Sequence, residues 1–246
     1  MKNPHALASL LASVLLAGCG PSAPPPAATP PSTHAGHEHH QHPQHGADHE
    51  HGGPLVHRFE KADDWAKQFD DPARDAWQRP ADVIATMKIT PGMTVADIGA
   101  GTGYFEPHLS RAVGPSGAVL ALDLEPDMVR YMTERAKREG LANVKPAVVA
   151  GDDPRLAPGS VHRILIVDTW HHIPERPAYA RKLAAALAPG GAVFVVDFKP
   201  EATIGPPPAH RLTAATVKGE LEAGGLRVDR IETTLPEQYV VVASRP

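Results

Sequence analysis

The stretch Val95-Ala96-Asp97-Ile98-Gly99-Ala100-Gly101-Thr102-Gly103-Tyr104-Phe105 concentrates residues able to do chemistry. A carboxylate closes an apolar run, and the glycines after it let the backbone turn tightly and approach a ligand with no Cβ between. A dinucleotide-binding loop, Gly-x-Gly-x-x-Gly, would put its third glycine at position 104. That position is Tyr104 and the third glycine comes one residue earlier, so the spacing disfavours an enzyme that grips a pyrophosphate. Further on, Asp168-Thr169-Trp170-His171-His172 leaves another apolar run. Imidazole is suited to proton removal near neutral pH, so either His171 or His172 is a candidate base, with Asp168 alongside.

A second cluster is of another kind. His34, His37, His39, His40, His42, His45, His49 and His51 put eight histidines into residues 34–51, mixed with acids. This is a compositional metal-binding pattern suited to zinc, copper or nickel, although a flexible tract specifies neither metal nor geometry. The alternative is a solvated tether. The single cysteine, Cys19, excludes a disulfide framework and a cysteine-based zinc site.

These groups sit on an uneven chain of 246 residues. Lys2 followed by the apolar stretch 6–17 reads as a secretion signal over residues 1–18, too short to span a bilayer. Pro-rich and His-rich residues 19–56 form a tether unable to fold alone. Residues 57–80 read as a helical extension in which Trp65, Phe69 and Trp77 pack onto the domain; its segment 74–80 is also a candidate lid. With 24 basic against 28 acidic residues and a formal charge of −4, a nucleic-acid partner is disfavoured.

Residues 81–246 carry an α/β pattern. Apolar runs at 94–98, 118–123, 144–150, 163–168 and 192–197 alternate with helical stretches at 104–112, 126–139 and 175–188, the last stopped by Pro189-Gly190-Gly191. Such alternation means a parallel sheet covered on both faces. After a helix at 214–224, the runs 226–234 and 238–244 are too close together for a crossover and pair antiparallel. The expected fold is a doubly wound, mostly parallel, Rossmann-like sheet of seven strands ending in an antiparallel strand.

The Asp-x-Gly-x-Gly-x-Gly spacing resembles motif I of class I S-adenosylmethionine-dependent methyltransferases, and the resemblance runs over residues 80–245. It implies S-adenosyl-L-methionine as cofactor. Asp97, Gly99, Ala100, Gly101, Gly103 and Tyr104 would then hold the methionine portion, and Asp123 both ribose hydroxyls. Leu124 and Met128 would flank the adenine, and Asp152 or Asp153 would accept from its amino group. Asp168, His171 and His172 would face a small-molecule methyl acceptor. The family's catechol-type subgroup would suggest a cation between Asp168 and Asp197, but Phe198 stands where that subgroup has Asn. His210 lies on a loop that borders the pocket and reads as a surface histidine.

Leu16-Ala17-Gly18-Cys19 resembles a bacterial lipobox, which implies a lipidated Cys19 and an anchor on the periplasmic face of a membrane, the outer membrane in preference. A non-enzymatic reading, a metal-binding lipoprotein with a scaffold domain, stands as the alternative. The oligomeric expectation is a monomer.

Overall fold

The computed structural model describes residue 59 and residues 61–246. The signal at 1–18, the tether with Cys19 and its eight histidines, and the first residues of the extension lie outside the described residues.

Seven strands form one sheet: β1 (Thr94–Ile98), β2 (Ala118–Asp123), β3 (Val144–Val148), β4 (Val161–Val167), β5 (Leu187–Phe198), β6 (Arg227–Glu232) and β7 (Gln238–Ser244). Their order is β3-β2-β1-β4-β5-β7-β6. The first five pair in parallel, and β7 is antiparallel to both β5 and β6. The helices are α1 (Ala62–Phe69), α2 (Arg74–Gln78), α3 (Pro80–Met87), α4 (Glu106–Val113), α5 (Pro126–Arg138), α6 (Arg176–Ala186) and α7 (Ala214–Ala223). Four of them, α3, α4, α5 and α6, carry a proline in the first turn, where its missing N–H costs nothing.

Strand periodicity splits the core in two. Ile164, Ile166, Val193, Val195 and Val241 face one cluster, which includes Leu183 of α6 and Leu221 of α7. Their neighbours Leu165, Val167, Phe194, Val196 and Val240 face the other, with Val83 of α3, Leu109 of α4 and Met132 of α5. Covering on both faces is what the continuous apolar runs require. The two edges are blunted by sequence: β3 carries Pro146, and β6 alternates charged residues with Val228 and Ile231.

Two expected limits move. The helix expected to reach residue 188 ends at Ala186, because Leu187, fully buried, already pairs with Val161 of β4. The run expected to be extended to residue 150 stops at Val148, after which the chain turns and Ala150 bridges Asp153. The strand order reverses between β1 and β4, and ligands in open α/β sheets bind beyond the carboxyl ends of strands at such a switch.

One buried pair breaks the apolar rule. Asp97 at the end of β1 and Glu106 at the start of α4 are 3% and 2% exposed. Neither Glu106 oxygen has a donor within reach, and its close neighbour is the Asp97 carboxyl. Burial disfavours ionising both carboxyls at once, so the pair favours keeping a proton. Burial pushes Asp97 up to about 7, against the pull of Glu106 and Arg74, and burial likewise raises Glu106 far above the usual range. The folded protein thus keeps a proton that the unfolded chain releases. Stability from this pair is full below the unfolded carboxylate value and is lost as pH rises through about 7. Urea unfolding of Glu106→Gln between pH 5 and 8 is expected to show that loss shrinking by more than about 1 kcal/mol. An unchanged slope would mean the pair does not keep that proton.

Candidate active site

The glycine loop is held from below by β2. Gly99 N–H and Ala100 N–H donate to Leu122 O at 2.8 and 3.1 Å, Gly101 N–H to Asp123 Oδ2 at 2.8 Å, and Gly103 N–H to Ala100 O at 3.0 Å. Four of the donors that would cradle a phosphate are therefore spent inside the protein. Glu106 stands at the first turn of α4, where a pyrophosphate would need positive potential. Both facts agree with the glycine spacing in disfavouring a dinucleotide.

Gly99 is required twice over. Its φ of +72° is a left-handed conformation, and a Cβ there would lie 2.2 Å from Thr169 Oγ1. Gly101 has φ of +58°, and a Cβ on it would meet the Phe69 ring at 3.6 Å.

Asp123 is the hinge of the site. Oδ2 takes Gly101 N–H, and Oδ1 takes Glu125 N–H at 2.9 Å. A carboxylate has about four acceptor positions, so each oxygen keeps one for a ligand hydroxyl. Burial raises its pKa, and the backbone donors oppose that. Leu124 beside it is 55% exposed, whereas Met128 is 1% exposed and fully covered. Asp153 is committed, accepting from Arg155 N–H at 2.8 Å with Lys182 Nζ at 3.6 Å. The neighbouring Asp152 carboxyl is exposed and unpaired among the described residues.

Across the switch point, His171 Nδ1 lies 3.1 Å from both oxygens of Asp197, and both side chains are buried. Burial disfavours the imidazolium, but the hydrogen bond and charge of Asp197 outweigh it and raise the His171 pKa. His172 belongs instead to an aromatic group, its ring 5.8 Å from Phe59 and 4.2 Å from His171. Trp170 is fully buried and donates to Glu220 at 2.8 Å, so it is core. Asp168 has a left-handed φ of 51°. Burial pushes it up to about 7, with Arg74 pulling down and Asp197 pushing up. His210 is exposed on its loop. Among the described residues no group of three or more metal-ligating side chains exists, and Asp168 and Asp197 form no such group.

The extension closes over this edge. Arg74 of α2 sits 4.0 Å above the Tyr104 ring, donates to Phe69 O and Gln78 Oε1 at 2.9 Å, and lies 3.8 Å from Asp168. Gln78 donates to Gln238 at 2.6 Å, and Gln238 to Asp168 at 2.5 Å, so a buried amide relay joins α2, β7 and the end of β4. Asp70 accepts from Thr102 and Arg135 at 2.8 Å each, and Asp75 accepts from Tyr104. Trp77 packs on Phe198. The segment 74–80 thus packs onto the domain, with Phe69 beside Gly101 and Arg74 against the Tyr104 ring.

The structure gathers Asp97, Gly99, Ala100, Gly101, Gly103, Tyr104, Asp123, Asp168 and His171 at one sheet edge. Sequence reasoning missed Glu106, Gln78 and Gln238 and left Arg74 without a role. The signal for Glu106 was an acid directly after Phe105, at a helix start that must be covered; the glutamines carried none.

Comparison with known proteins agrees with this geometry. The Methyltransferase domain family matches residues 95–191. A solved S-adenosylmethionine-dependent methyltransferase from Aquifex aeolicus is 31% identical, with a TM-score of 0.70 over 73% of this chain and 96% of that one. The nocamycin O-methyltransferase of Saccharothrix syringae is 28% identical over 63% of this chain and 50% of its own length. The ubiquinone/menaquinone biosynthesis C-methyltransferase of Pasteurella multocida is 29% identical over 44% of this chain and 40% of its own. The chain spans about half the length, or less, of these curated relatives. From glycine loop to reversed terminal strand, it belongs to the S-adenosylmethionine-dependent methyltransferase family.

Proposed function

We propose that this chain transfers the methyl group of S-adenosylmethionine to a small molecule that gives up a proton as it is methylated. The observation that carries the reading is Asp123, which ties the glycine loop to β2 and still has an acceptor position on each oxygen. The donor set fits an uncharged ribose better than a phosphate, since the N–H groups of Gly99, Ala100, Gly101 and Gly103 are already bonded within the protein. When bound, S-adenosylmethionine supplies a carbon already activated by sulfonium, so the protein's share is alignment, exclusion of water and proton removal.

Asp123 holds the ribose hydroxyls, Leu124 offers an apolar face to the adenine, and Asp152, unpaired, accepts from its amino group. Arg74 provides a cation whose 3.8 Å pairing with Asp168 is loose enough to exchange for the carboxylate of a methionine portion. His171 takes the acceptor's proton at Nε2, while Asp197 fixes the ring through Nδ1 and steadies the imidazolium that results. The lid of α1 and α2 excludes water and must open to admit ligands. An acidic O–H or an N–H on the acceptor suits this arrangement, and the relatives, named for O- and C-methylation, leave the acceptor open.

Lipidated Cys19 holds this domain at the periplasmic face of a bacterial membrane, and the histidines at 34–51 offer imidazoles for zinc, copper or nickel between anchor and domain. The support is the Leu16-Ala17-Gly18-Cys19 sequence after an apolar stretch, together with the composition of the tract. The cofactor then has to reach that compartment.

Three measurements test these statements. In calorimetry, Asp123→Ala should weaken S-adenosylmethionine binding by about 100-fold or more, the loss of two charge-assisted hydrogen bonds; undiminished affinity would count against the pocket. NMR titration of His171 should give a midpoint above the ordinary 6.5 that falls in Asp197→Asn. A midpoint that stays put would remove the dyad from the mechanism. Cys19→Ser should release the protein from the membrane fraction, and continued sedimentation with membranes would contradict the anchor.

A further inference from the structure

The opposite end of the sheet carries a feature that methyl transfer does not use. Beside the amino ends of β4 and β6, below α3, lies a cavity of about 690 Å³ whose lining includes Lys88, Arg163, Arg227, Arg230 and Arg245, with Asp229 as its lining carboxylate. Arg227 meets Asp229 at 3.0 Å and Arg230 meets Glu232 at 2.6 Å, so these two cations are matched. Arg163 is bonded only to carbonyls, Met87 O and His162 O at 2.7 Å and Gly190 O at 3.2 Å. Lys88 and Arg245 make no side-chain hydrogen bond or ion pair among the described residues.

Among side chains, five cations against two carboxylates leave a local surplus of three positive charges, two once the main-chain carboxyl of Pro246 in the same lining is counted, on a chain whose formal charge is −4. The carboxyl end of α3, which Arg163 caps, contributes only about half a negative charge and does not balance it. Burial lowers the Arg163 pKa and no carboxylate opposes the effect. A partly buried guanidinium with a spare Nη2, lining one cavity with a lysine and a second unpaired arginine, matches a tetrahedral oxyanion of multiple charge, for which forked N–H donors are well shaped.

We propose that this cavity binds a phosphate group, through Arg163, Lys88 and Arg245. It lies at the amino edge of the sheet, away from the glycine loop, so it stands independently of the methyl-transfer reading. The phosphate is that of a soluble phosphorylated compound or of an anionic lipid headgroup.

The test uses the full chain carrying Cys19→Ser, which removes the proposed lipid anchor, and the same chain with the added double variant Lys88→Gln/Arg245→Gln, with thermal unfolding to verify that the fold is kept. Calorimetry with inorganic pyrophosphate is expected to show binding that weakens with salt and falls tenfold or more in the variant, which identifies a soluble source. Flotation with phosphatidylglycerol vesicles but not phosphatidylcholine vesicles, reduced in the variant and without pyrophosphate heat, identifies a headgroup. The proposal is overturned if neither probe binds, or if the variant binds both as the parent does.

Discussion

One carboxylate organises the candidate site. Asp123 accepts from Gly101 N–H and from Glu125 N–H, so the glycine loop and the turn after β2 are fastened to a single buried group. Without it, three consecutive residues with little side-chain anchoring would have to hold their shape through the bonds to Leu122 O alone. With it, the loop is fixed before any ligand arrives, and each oxygen keeps an acceptor position. Preorganisation of this kind reduces the cost of ordering on binding.

The acids are the second constraint. Asp97, Glu106, Asp123, Asp168 and Asp197 cluster at the carboxyl edge of the sheet, most of them buried. Such a cluster survives by three devices. Burial favours a proton on the Asp97–Glu106 pair, backbone donors reach Asp123 and Asp197, and the cation Arg74 arrives from the extension. The extension therefore has an electrostatic as well as an apolar reason to pack at this edge. Its apolar part is the ring group of Phe59, Trp65, Phe69 and His172.

Most of the parallel sheet was legible because β1, β2, β4 and β5 are apolar runs closed by an acid or a glycine, and most of the intervals between the parallel strands hold one helix. Asp97 and Asp123 were legible for the same reason: a carboxylate that closes an apolar run must sit at a sheet edge. His171 and His172 could not be separated, since only the packing sends one to Asp197 and the other toward Phe59. The Asp152 and Asp153 carboxyls differ in that Arg155 N–H and Lys182 Nζ reach only that of Asp153, Lys182 meeting Asp152 at its carbonyl. The Gln78–Gln238 contact joins residues 160 positions apart, and no local pattern encodes it. Arg74 lies in a polar helix of five residues whose sequence suggests solvent, and its role follows from the buried acids it meets.

The most direct measurement is a crystal structure of the protein soaked with S-adenosylmethionine. The account predicts electron density for a ribose on Asp123, with adenine against Leu124, and a displacement of Phe69 and Arg74 from above Gly101 and Tyr104. Nucleoside density elsewhere, or an unmoved lid with Asp123 bonded only to Gly101 and Glu125 under saturating cofactor, would contradict it.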